Sequence, residues 1–274
     1  MEIETAGKGS DFMVGLSIHV AWWVYVIGFV LYFLFALAGV GAAIGFVPML
    51  ALLGIDVNFA KLIGLSSNFF STMPSAVASI RRVWRYWVAS LIGVVVGSWI
   101  APKLSFALPK KTVLLTTGVV LLLIVFWQFL KAKFMKTSQD SESESHDVLS
   151  VRKILQIAVG TFLIALVASY GGIGGGALYI PFFSYILGGS HIASQVASTL
   201  VFTSCLVASV KYAIAGGWWN LEVLKVLLVF WVMAFSAGYL GKWTRDKLSP
   251  RALNVVLRWL VALCALLLIW KGVK

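Results

Sequence analysis

Apolar residues run along this chain in long, nearly unbroken stretches, rather than in the alternation of a half-buried strand or the one-sided stripe of a helix on a water-soluble core. The stretches fall near residues 17–39, 43–54, 58–80, 86–101 and 112–130, and again near 154–171, 176–187, 191–215, 221–241 and 251–270. A helix that crosses a bilayer needs about 20 apolar residues, so the pattern predicts an all-α polytopic membrane protein. The second stretch of each series is too short to cross alone. Between the series lies "KAKFMKTSQDSESESHDVLSVRK", residues 131–153, charged, serine-rich and without hydrophobic period. Such a segment reads as a solvated cytoplasmic linker. The expected organisation is a first transmembrane repeat over 1–130, the linker over 131–153 and a second repeat over 154–274.

Each short stretch follows a glycine-rich run: "FALAGVGAAIGFVPML" at 35–50 and "ASYGGIGGGALYIPFF" at 168–183. Laying one over the other and continuing the register pairs Gly39 with Gly172, Gly41 with Gly174, Pro48 with Pro181, Ala60 with Ala193, Phe69 with Phe202, Ser71 with Ser204 and Val77 with Val210. A duplicated unit accounts for one shared register, giving two repeats of about five apolar segments, or eight to ten spans. The copies are inverted if the short segments complete a crossing, and parallel if those segments re-enter. Lysines and arginines in the loops do not choose between the two. Inversion is favoured because it brings two broken half-helices to the bilayer midplane from opposite sides.

Composition narrows the class further, with 61% hydrophobic residues, 12% charged residues and a net charge of +12. The excess base sits in short loops such as "RRVWR" and "KWTRDKLSPR", where it orients spans; nucleic-acid binding is not expected. Cys205 and Cys264 fall in apolar runs and form no disulfide framework. His19, His146 and His191 are far apart and the spans hold no carboxylate pair, so neither an enzyme, a metal site nor a cofactor is expected. The polar start of the chain, without a cleavage-site pattern, reads as part of the mature protein.

Three readings compete for the glycines. "GIGGGA" matches a dinucleotide fingerprint in letters only, because no strand precedes it and no acid follows at the required distance. Small residues also let membrane helices pack closely. The third reading is a helix break whose free N–H groups, at the positive end of a half-helix, form an anion site. Irregular backbone at membrane depth persists only when buried in protein or lining a cavity.

The glycine turn followed by "ALYIPFF" or "GFVPML", and then by an Ala-led helix carrying hydroxyl residues ("AKLIGLSSNFF", "ASQVASTLVF"), resembles the TauE/SafE sulfite exporter family, also grouped as toluene sulfonate uptake permeases. The resemblance covers nearly the whole chain. It implies secondary transport, as export across the cell membrane, of small sulfur-containing anions such as sulfite or sulfonates. The expected partners are that anion and the lipid bilayer; a homodimer stays open. A passive anion channel is the alternative. The expected substrate contacts are Gly39, Gly41 and Ala42 in the first turn and Gly172, Gly174, Gly175 and Gly176 in the second. Ser66, Ser67 and Asn68 follow in the first copy and Gln195, Ser198 and Thr199 in the second, with Tyr170 at the wall. Hydroxyl and amide donors suit sulfonate oxygens without adding a charge that traps the ligand. Tyr179 either lines the cavity or packs, and Lys211 is expected to snorkel. The first copy has Ala42 and Ala43 where the second has Gly175 and Gly176, which makes the second turn the tighter half.

Overall fold

The structure, a computed structural model, describes residues 22–38, 43–134, 150–187 and 190–245, with scattered residues between 259 and 273. The described residues contain helices and no strand: α1 Trp22–Ala38, α2 Ala43–Leu52, α3 Val57–Ala107, α4 Lys110–Phe134, α5 Val151–Gly171, α6 Gly176–Leu187, α7 Ser190–Gly216 and α8 Leu221–Arg245. Among the described residues four stretches are long and apolar enough to cross a membrane: Val57–Ala107, Val151–Gly171, Ile192–Gly216 and Leu221–Gly241. Large apolar side chains such as Ile92, Leu155 and Val232 face outward. That is the surface a protein shows to hydrocarbon rather than to water.

Among the described residues the apolar stretches up to 221–241 appear as helices, with one difference. Stretches 58–80 and 86–101, expected as separate segments, are arms of the single hydrogen-bonded helix α3. A straight helix of that length extends ~76 Å, more than twice the hydrocarbon thickness. Yet the Lys61 Nζ donates to Ser105 Oγ at 2.9 Å, and Ser105 Oγ to Asn58 Oδ1 at 2.6 Å. The helix therefore turns back on itself, and these pairings put the corner near "RRVWR". No glycine or proline marks that corner, which is why charge rather than breaker residues signals it. The expected linker lies largely outside the described residues, although α4 continues to Phe134 and α5 starts at Val151. The last expected stretch, 251–270, is also mostly outside them.

Helix α3 is the central element, packed against α5, α7 and α8. Glycines permit its closest approaches: a Cβ at Gly97 would lie 2.5 Å from the Phe162 carbonyl oxygen of α5. Gly93 meets the same helix at the Ala158 carbonyl, and Gly238 of α8 meets the backbone of Ser71. Close packing thus falls to these glycines. Aromatic contacts fill the remaining space, with Phe69 stacked on Phe202 at 4.4 Å between ring centroids and Phe46 edge-on to Phe230 at 5.4 Å.

Candidate functional site

The glycines of the second turn are bent, buried and free of helix–helix backbone contact. Helix α5 ends where Gly172 adopts φ 70°, with the Ile173 N–H donating to the Ala168 carbonyl at 2.8 Å. Gly174 and Gly175 follow at φ 79° and 83°, and α6 starts at Gly176. These left-handed positions are ones that L side chains take only at a cost of roughly 1–2 kcal/mol each. The Tyr179 and Leu178 N–H groups donate to the Gly175 carbonyl. The N–H groups of Gly174, Gly175, Gly176 and Ala177 find no acceptor among the described residues, although all four residues are buried. Leaving a buried donor unmet costs about 1–3 kcal/mol, so a run of them marks a place for an acceptor-rich guest.

Side chains from four other elements meet this turn. The Asn68 amide of α3 touches Gly174 and donates to Cys205 Sγ of α7 at 3.3 Å. A Cβ at Gly174 would collide with that amide and lie 3.5 Å from the same sulfur. Around Cys205 stand Tyr32 of α1 beside Ser67, and Tyr179 of α6 beside Ser204. The Tyr32, Ser67 and Tyr179 hydroxyls are buried without a hydrogen bond of good geometry, although Ser67 stands close to Tyr32 and Ser204 close to Tyr179. The cluster is donor-rich and holds no carboxylate, a chemistry that suits oxyanion oxygens.

Lys61 of α3 adds a buried amine, a group the hydroxyl and glycine pattern of the sequence does not point to. It is 0% exposed. Its stem packs on the turn, since a Cβ at Gly172 would lie 2.7 Å from Lys61 Cγ, and its ammonium sits 4.8 Å from the centroid of the Tyr170 ring. Tyr170 is held in turn by a 2.6 Å hydrogen bond to Thr116. The signal was present in "AKLIGLSSNFF": an ionisable residue inside an apolar segment marks function by default.

The other expected contacts divide. Asn68, Tyr170, Gly172, Gly174, Gly175 and Gly176 come together at the turn, and Ser67 stands beside Tyr32. Ser66 donates back to Ile63, Ser198 to Ser194 and Gln195, and Thr199 to Val196, all carbonyls of their own helices. That common habit of membrane hydroxyls occupies their protons. Gln195 is half-buried on α7. Gly39, Gly41 and Ala42 lie outside the described residues. Lys211, expected to snorkel, places its ammonium 4.7 Å from the centroid of the Trp99 ring.

No curated protein and no solved structure matches the chain. The model of the sulfite exporter TauE/SafE family matches residues 24–268, nearly the full length, and includes every element that builds the turn. The chain therefore belongs to the TauE/SafE sulfite exporter family of membrane transporters.

Proposed function

We propose that this protein is a secondary carrier that exports small sulfur oxyanions, sulfite or sulfonates, bound where the backbone breaks between α5 and α6. One observation carries the reading: four successive buried N–H groups without acceptors, beside buried hydroxyls that make no hydrogen bond of good geometry. Sulfonate or sulfite oxygens supply the missing acceptors, and the positive end of α6 favours their charge. Carrier rather than channel is supported by enclosure, since Ser67, Asn68, Tyr179 and Cys205 are all fully buried and an open pore would wet them. The repeat reading is part of the proposal. Phe69 and Phe202, matched between the copies, stack on one another, as equivalent residues do beside a two-fold axis. With inverted copies that axis lies in the membrane plane.

Transport on this reading is electrogenic, because the spans carry no acid pair to bring a co-ion with the anion. Moving one charge through 100 mV is worth about 2.3 kcal/mol, close to a 50-fold gradient. A negative cytoplasm then drives the anion outward. The test is efflux of labelled sulfite or methanesulfonate from proteoliposomes whose voltage is set by valinomycin and a potassium gradient. Efflux should saturate with substrate and speed up when the lumen is negative. A rate that ignores voltage and follows a pH or sodium gradient refutes the electrogenic mechanism, and a non-saturating flux favours the channel.

A further inference from the structure

We propose that Lys61 is the one fixed counter-charge of the substrate site and that it restricts the transporter to singly charged sulfur oxyanions. The proposal rests on reading the glycine turn as the anion site. Both groups that touch the Lys61 ammonium are uncharged, the Ser105 hydroxyl at 2.9 Å and the face of the Tyr170 ring. Asp56, five residues earlier on the chain, caps α3 and is held by Lys110 at 2.7 Å, so that it acts on Lys61 through space without pairing with it. Among the described residues no carboxylate lies within ion-pairing distance of Lys61. Buried cations are paired with an acid or mark the path of an ion. Among the described residues no acid reaches Lys61 at ion-pair distance, which favours the ion path.

Position supports the same assignment. Lys61 and Asn68 are seven residues apart, two turns along one face of α3. Lys61 rests against Gly172 and Asn68 against Gly174, so the turn with the unmet N–H groups lies between a cation and an amide. In the register that pairs the two copies, Ser194 takes the place of Lys61. Lys61 is thus the cation set against the described turn. A monoanion leaves the occupied site neutral. A dianion leaves one negative charge uncompensated in a dry interior, and a neutral ligand leaves the ammonium unpaired; both are strongly unfavourable. For sulfite, the form taken is hydrogen sulfite.

Three ligands of similar shape and different charge test this on the purified full chain: methanesulfonate, sulfate and the uncharged dimethyl sulfone, each titrated by calorimetry. Methanesulfonate should bind the wild-type protein roughly tenfold or more tighter than either of the others. Lys61→Gln, which keeps a donor for Ser105, should weaken methanesulfonate by a similar factor and erase its advantage over the sulfone. Equal affinity for the sulfone, or tighter binding of sulfate, overturns the proposal on wild-type protein alone, whether or not the variant folds. Unchanged methanesulfonate affinity in folded Lys61→Gln also overturns it while leaving the glycine turn in place as the site. If wild-type protein binds none of the three, the anion-site reading itself fails, and the role of Lys61 with it.

Discussion

Replacing Gly174 with alanine separates a binding role for the backbone from a merely structural one, because Gly217 provides a matched control. Both glycines have positive φ, 79° and 66°, so an alanine at either is penalised by roughly 1–2 kcal/mol for the left-handed backbone. Nothing lies within 4 Å of a Cβ at Gly217, whereas at Gly174 it strikes the Asn68 amide. Asn68 must then leave its rotamer, at about 0.5–1.5 kcal/mol, and give up its bond to Cys205, at about 0.5–1.5 kcal/mol. The difference between the variants is ~1–3 kcal/mol, which amounts to a loss of about 5- to 150-fold in affinity if the ligand uses the same amide and turn. Thermal unfolding of each purified variant gives the stability change, and its ligand-dependent shift across a methanesulfonate series gives the affinity. Both variants should lose stability, and only Gly174→Ala should lose the ligand. Wild-type affinity in folded Gly174→Ala protein, or an equal loss in Gly217→Ala, would refute the argument.

Further outcomes follow from the same contacts. Tyr179→Phe removes a buried hydroxyl that makes no hydrogen bond of good geometry, so stability should hold or rise while methanesulfonate affinity falls roughly tenfold, a split seen by pairing melting curves with titration. Gly97→Val drives a branched side chain into the α5 backbone and should destabilise the fold by about 3 kcal/mol or more, detected as lost monodisperse protein on size exclusion. Thr203→Val deletes the acceptor of the 3.0 Å Trp87 Nε1 hydrogen bond between α3 and α7 and should cost about 1 kcal/mol in thermal stability with affinity unchanged. Inverted repeats leave both chain ends outside the cytoplasm, so cysteines placed at Ser10 and Lys274 should react with an impermeant thiol reagent in intact cells; protection of both until lysis would refute inversion.

Hydropathy is a local property, and what depends on it was legible in the chain. The short segment 176–187 appears as α6 Gly176–Leu187 and the stretch 154–171 as the body of α5 Val151–Gly171, because apolar length and glycine punctuation act within a few residues. The glycine turn was legible for the same reason, since Gly172, Gly174 and Gly175 adopt a backbone that few other residues tolerate. Tertiary structure decided the rest. The return of α3 on itself is recorded in the meeting of Lys61 with Ser105, 44 residues later, which no local pattern contains. Whether a hydroxyl is bonded to its own helix is likewise invisible in sequence: neighbouring Ser66 and Ser67 share one motif, yet Ser66 donates to Ile63 and Ser67 makes no hydrogen bond of good geometry. Lys61 shows the division most sharply. Its presence in an apolar segment was plain, but its place at the turn came only when Gly172 and Tyr170, distant in the chain, closed around it and the acid nearest in sequence paired with Lys110. The energy of a charge is set by every group around it, and those groups are assembled by the fold.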